Sequence, residues 1–409
     1  MRFAIDDVTL RTVVRFLIVS LLLLMPAAWG RSPFMSAFKP YLKAHIPLSE
    51  TQLSLAFTVG NIIAASLVPV FVCSLGKNFS LTKAFRWVYI VFILGFLSFF
   101  GAMRCYGITM MCFLFLVLGY CGLRACGQGL LPTLVCSYGA ALYDDKKCAW
   151  FASWHISVQV FASFVLYILA SCNAFHYWHW VLTAQIGILL LYLLCVPHNL
   201  IHIASVDVKS PRGFRFVFKQ FPFVFIFGMC LMALENFHAT GIMFHISNFA
   251  LEQSVPLEKI FKVFLPITLS TFAFTPLASW LYGYVKLPTT LFLQILSLVF
   301  ANGILLKLNN DASIWLFAVA NGLAWAFNHV LSYVLVSKIL PEPQRAIGYS
   351  TLIGFGSLCS AIGPFIYSCL FAVFGNYMSV GRFMFVTNSV VALWVLYLCL
   401  KPKRLGVKG

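Results

Sequence analysis

A chain of 409 residues that is 61% hydrophobic and only 10% charged is not a soluble globular domain, which carries about 25% charged residues. No water-soluble fold hides so much apolar surface, so composition points to an all-α polytopic membrane protein. The net charge of +17 is no nucleic-acid footprint, because Lys and Arg punctuate the gaps between apolar runs instead of forming one patch.

A membrane span needs about 20 mostly apolar residues. In chain order the pattern predicts twelve spans, roughly 13–40, 51–75, 83–103, 107–135, 148–171, 178–197, 221–248, 260–284, 288–306, 313–338, 346–373 and 380–400. Asp6 and Asp7 spoil the n-region of any cleaved signal peptide. The longest polar connection, 198–220, holds Asp207, Lys209, Arg212, Arg215 and Lys219. It divides the chain into residues 1–197 and 221–409, six spans each. With both termini in the cytoplasm, the inner segments collect nineteen Lys and Arg and the outer segments seven, leaving Arg31 and Arg124 inside apolar runs. Short loops suggest a bacterial inner membrane and a monomer.

A weak internal repeat links the halves. Pro69 precedes Gly76 by seven residues after the second span, and Pro276 precedes Gly283 by seven after the eighth. The Asp144, Lys146, Lys147 loop likewise answers to Glu342, Gln344 and Arg345. Related halves imply a binding site at their interface near the bilayer midplane. The thirteen cysteines follow no CxxC or Cys/His spacing, so no metal and no cofactor is expected.

Charged residues inside spans are costly and mark candidate sites. Arg124 and Gln128 are four apart and share a helix face. Arg124 is either an anion-binding cation or a structural brace. Arg31, beside Trp29 and Gly30, either faces the cavity or snorkels to the interface. Its guanidinium fork suits a carboxylate or phosphate. Glu235 is the only charge between Lys219 and Glu252, with His238 one turn on. It is read as a proton-coupling carboxylate or as the ion-pair partner of Arg31 or Arg124. Asn321, Trp325, Asn328 and Ser332 form one stripe on the tenth span, lining a cavity or bonding a neighbouring helix. His155 and Gln159 make a similar pair in the fifth. His176 and His179, with Trp178 and Trp180, form an interface belt. Lys39, Lys43 and His45 are read as solvated charge at the outer mouth.

The span count, the basic middle loop and the two related halves resemble the major facilitator superfamily. Arg124-Ala-Cys-Gly127-Gln128-Gly129, Leu48-Ser49-Glu50-Thr51-Gln52-Leu53-Ser54 and Thr240-Gly241-Ile242-Met243-Phe244-His245 resemble motifs of its monocarboxylate-transporter-like and oxalate/formate-antiporter-like branch. Gly348, Gly354, Gly356 and Gly363-Pro364 fit that branch's glycine pattern. The superfamily's Gly-x-x-x-Asp-Arg-x-Gly loop is degenerate here: Val72, Gly76, Lys77 and Phe79 occupy its positions. No Lys or Arg lies between Pro266 and Gly283 or between Ala346 and Phe374, so the oxalate mechanism is not implied. Arg31-Ser-Pro-Phe34 and Pro40 also resemble the first span of organophosphate:phosphate antiporters.

The resemblance implies a secondary transporter with a small-molecule substrate. Two intramembrane arginines to one glutamate favour an organic anion, with gradient coupling through Glu235. Arg31, Arg124, Gln128, Asn321, Trp325 and Asn328 are the expected substrate contacts, and Glu235 and His238 the expected coupling pair. A non-transporting receptor and a membrane-embedded transferase are the alternatives, although no clustered catalytic pattern supports an enzyme.

Overall fold

The structure is a computed structural model. It describes residues 25–30, 32–74, 81–105, 107–132, 134, 168–169, 172, 174–195, 221–256, 259–260, 263–340 and 342–400. Arg31, the segment around Gly76 and Lys77, the Asp144–Lys147 loop, His155, Gln159 and the 198–220 connection lie outside the described residues.

All regular structure among the described residues is helical. A 3-10 turn, Met25–Gly30, leads into α1 (Ser32–His45), followed by α2 (Glu50–Ser74), α3 (Leu81–Arg104) and α4 (Thr109–Arg124). The last continues as a π-helical turn, Ala125–Leu130. Next come α5 (Trp178–Cys195), α6 (Phe223–Glu252), α7 (Phe264–Tyr284), α8 (Leu287–Leu305), α9 (Asp311–Ile339), α10 (Glu342–Phe374) and α11 (Tyr377–Leu400). Eight of these are long and apolar enough to cross a membrane. Most are apolar all round, as helices must be when one face meets lipid and another a protein core. Trp280, Leu393 and Leu194 show the outward face, being well exposed.

The turns at Ile46–Ser49, Cys105–Ile108, Leu306–Asn310 and Gly375–Asn376 gather at one end, here called the near end. The Val285–Lys286 turn marks the far end. Local chemistry fixes these ends. Ser49 and Gln52 form a capping box at the start of α2, each side chain accepting from the other's backbone N–H at 3.2 and 2.9 Å. Asn310 and Ser313 do the same for α9. Gly375 takes φ +75°, which only glycine adopts without strain.

Glu252, at the end of α6, caps α11 instead of its own helix. Its carboxylate accepts from Tyr377 N at 2.6 Å and Met378 N at 2.9 Å, a negative charge where the helix dipole favours one. Glu252→Ala is expected to cost about 1–2 kcal/mol, the usual value of a lost N-cap. Thermal unfolding in detergent would show it as a lowered midpoint, with Glu252→Gln intermediate.

Helices α2, α3 and α4 pack together, as do α7, α8, α9 and α11. The chain halves meet where α10 lies along α2 and α6 along α1.

Candidate substrate site between the chain halves

Arg124 sits where α4 gives way to the π turn. The wider turn admits one extra residue, and such turns occur preferentially at functional sites. Here it brings Gly127 against Gly30 of the 3-10 turn. A Cβ on Gly127 would lie 2.6 Å from Ala27 O and 2.7 Å from Gly30 Cα. Gly127→Ala should therefore push the two backbones apart and cost about 1–3 kcal/mol of overpacking. A lowered unfolding midpoint, together with loss of any Arg124-dependent ligand binding, would report it.

The crossing carries Arg124 to the seam between the halves. The residue is 5% exposed. Its guanidinium donates to Gly30 O at 3.4 Å and to Ser360 Oγ of α10 at 2.6 Å. The Ser360 hydroxyl in turn bonds Thr240 Oγ1 of α6 at 2.6 Å. Both of these described partners are neutral oxygens.

One turn toward the far end, the seam stays polar. Asn236 precedes Thr240 by four residues and Gly356 precedes Ser360 by four, so both lie below the Arg124 level on the same faces. Gly356 faces the Asn236 amide directly. Asn328 of α9 donates to Asn236 Oδ1 at 3.4 Å. Gln128 is the matching residue on α4, half-buried, and its Oε1 has no hydrogen-bond partner. Asn328 Oδ1 and Trp325 Nε1 are likewise unpartnered. Within the predicted stripe Asn321, Asn328 and Ser332 are buried and Trp325 is half-buried. The structure thus joins Arg124 to Ser360 and Thr240, with Asn236 and Asn328 one turn below; Asn236, Thr240 and Ser360 were not singled out by the sequence reading, and Gln128 follows Arg124 in the π turn.

Glu235 and His238 lie elsewhere. Glu235 is wholly buried and pairs with the Gln294 amide on α8, not with Arg124. The reason is helical geometry: Glu235 and Thr240 are five residues apart, about 140° around α6, so they address opposite neighbours. His238 Nδ1 bonds the Tyr367 hydroxyl at 2.9 Å. Of the two readings of Glu235, the ion pair with Arg124 is not what the structure shows. Arg31 falls outside the described residues.

A second cluster, missed at the sequence level, closes the near end. Lys39 was read as solvated loop charge. It is instead 2% exposed within α1, which runs through Pro40 to His45. Its ammonium pairs with Glu50, donates to Phe244 O at 3.1 Å and lies 4.4 Å over the Phe244 ring. Lys43 reaches the other Glu50 oxygen at 2.9 Å and remains half in water. His45, by contrast, is exposed; its Nδ1 lies 2.8 Å from Tyr41 O of its own helix and its ring meets the Trp178 ring edge-on. From the other half, His245 Nε2 donates to Pro364 O at 2.9 Å. That leaves Nδ1 to accept from the Tyr377 hydroxyl at 3.0 Å. Ser368 donates to Ser54 at 3.0 Å and Thr58 to Ala361 O at 2.8 Å. Pro364 interrupts the α10 ladder, and carbonyls around it take these side-chain donors. One signal could have found the cluster: Glu50 is the only acid between Asp7 and Asp144, and two lysines at i and i+4 stand just before it.

No protein-family model matches the sequence, and no curated protein resembles it significantly. Solved structures do. The nucleoside transporter NupG superposes with a TM-score of 0.69 at 16% identity, covering 94% of this chain and 98% of that one. A D-xylose-proton symporter gives 0.71 at 14%, covering 94% and 97%. This chain has the major facilitator fold. A bacterial homologue of the human lysosomal transporter Spinster, in an inward-facing and unoccupied conformation, matches with 0.70 at 14% over 96% and 97%. At such identities the likeness concerns the fold, and it does not reach the monocarboxylate or oxalate branch that the motifs resemble.

Proposed function

We propose that this chain is a secondary active transporter that carries a small organic anion by alternating access. In this reading residues 1–197 and 221–409 are two bundles, joined by the basic 198–220 segment, that rock about the seam. The near end faces outward and both termini lie in the cytoplasm of a bacterial cell.

The observation that carries the reading is the placement of Arg124. It is a buried guanidinium that reaches across the halves to an exchangeable hydroxyl, Ser360 Oγ, beside the Asn328–Asn236 amide pair. A carboxylate would outcompete Ser360 for the fork, since it brings an opposite charge and can take two parallel N–H···O bonds from a guanidinium. Every hydrogen bond and ion pair described above between the halves lies at Arg124 or nearer the near end. That distribution fits a state closed at its outward end. Gln128, Asn328 and Trp325 would orient the bound anion, Asn321 lies on their stripe, and the gradient would act through Glu235 and His238.

Ligand-induced stabilisation of the purified protein tests this. The panel is a monocarboxylate, a dicarboxylate, a sugar phosphate, neutral xylose and a neutral nucleoside. The anion reading expects stabilisation by one anion class and its loss in Arg124→Gln. Equal stabilisation by xylose or the nucleoside, persisting in that variant, would make the substrate neutral and Arg124 a brace.

A further inference from the structure

We propose that His245 is the proton sensor of the near-end closure: a second proton, taken at Nδ1, opens that end of the molecule. The inference rests on the alternating-access reading and adds a sensor at the gate, apart from Glu235.

The closed cluster is built around a neutral imidazole. His245 belongs to α6, in the second half, and is 0% exposed. Its Nε2 proton is spent on Pro364 O. Its Nδ1 is faced by three donors: the Tyr377 hydroxyl at 3.0 Å, the Lys39 ammonium at 3.5 Å and the Asn248 amide at 3.5 Å. A ring nitrogen set among donors is placed to accept. Protonation reverses the role. Nδ1 becomes a donor aimed at donors, and a second cation arrives 3.5 Å from the Lys39 ammonium.

The surrounding charges do not balance the new one. Glu50 Oε1 lies 3.5 Å from Nδ1, the same distance as Lys39, so attraction and repulsion offset. That oxygen already pairs with Lys39 and accepts from Asn248 at 3.4 Å, while Lys43 holds the other. Two lysines to one glutamate leave the cluster one positive charge in excess before His245 is charged. From α10, Tyr367 stacks its ring on His245 at 6.3 Å, and from α11 Tyr377 supplies the hydroxyl already counted. Glu252, two turns on along α6, spends both oxygens on the first backbone N–H groups of α11. An unbalanced charge shut away from water is costly. Parting the halves at this end hydrates it. The contacts that give way are those from Lys39 and Glu50 to Phe244 O, His245 and Asn248. Acid on the near side therefore opens the near end, and a return to neutral pH closes it.

Spin labels at Thr51→Cys and Asn376→Cys, exposed positions on opposite halves, read this in a cysteine-free background. No substrate is present, so the result does not depend on what the protein carries. Between about pH 8 and about pH 5, the range in which histidine ordinarily changes charge, the distance should pass from short to long. His245→Asn, whose amide oxygen replaces the Nδ1 acceptor but takes no proton, should stay short throughout. Tyr377→Phe keeps the ring and removes one of the three donors, so opening should begin at a higher pH. A wild-type distance indifferent to pH overturns the proposal. So does an opening that survives in His245→Asn, which assigns the proton to another group. If His245→Asn folds poorly, Tyr377→Phe decides: an opening that keeps its pH midpoint or moves to lower pH overturns the sensor. Uptake that fails while the distance still follows pH removes the transporter reading and leaves the sensor in place.

Discussion

Arg124→Gln is expected to reduce substrate uptake about 100-fold, corresponding to roughly 3 kcal/mol, within the range for truncating one partner of a buried charged contact. The loss should appear in affinity as well as rate, because the guanidinium is proposed to hold the anion itself. Arg124→Lys should not restore uptake. An ammonium is a point charge and cannot present a planar fork to Gly30 O and a carboxylate together. Ser360→Ala separates the two readings of this arginine. If Ser360 only lends a hydroxyl until the anion arrives, the variant transports with unchanged or slightly better affinity. If Arg124 is a brace between the halves, Ser360→Ala lowers the unfolding midpoint by as much as Arg124→Gln does.

Glu50→Ala should open the near end. The substitution removes the carboxylate on which Lys39 and Lys43 converge. It leaves the Lys39 ammonium buried without a counter-charge. Breaking a buried pair from one side costs about 3–5 kcal/mol. Glu50 keeps 22% exposure, so the low end of that range is appropriate, still about a 100-fold shift in a two-state population. Spin labels at Thr51→Cys and Asn376→Cys, both exposed near-end positions on opposite halves, would read it in a cysteine-free background. The wild type should give one short distance, and Glu50→Ala a longer one. The double variant Lys39→Met, Glu50→Met should return the short distance, because an apolar pair leaves no stranded charge. A short distance in Glu50→Ala would mean that the cluster does not govern closure.

The membrane fold was legible because bilayer thickness writes itself into the length of apolar runs. Arg124 stood out for the same reason: a lone charge in such a run is costly and needs a local explanation. The facing of α6 was not legible. That helix is apolar nearly all round, and Glu235, His238, Thr240 and His245 fall on different sides of it. Spacing alone could not say that Glu235 meets Gln294 while Thr240 meets the Arg124–Ser360 pair. Lys39 was misread because it stands at the edge of the 13–40 apolar run, whereas α1 runs on to His45 and the lysine is buried within it. The π turn at Ala125–Leu130 was also invisible, although the glycines that permit it, Gly127 and Gly129, were noted as motif residues.

Uptake of labelled organic anions into proteoliposomes, with and without an imposed H+ or Na+ gradient, tests the central claim most directly. The account predicts saturable uptake of one anion class, driven uphill by a cation gradient and abolished in Arg124→Gln. It also predicts that Glu235→Gln keeps anion exchange but loses uphill accumulation. If no anion enters under any gradient while a neutral sugar or nucleoside does, the claim that Arg124 carries an anion across the seam is contradicted.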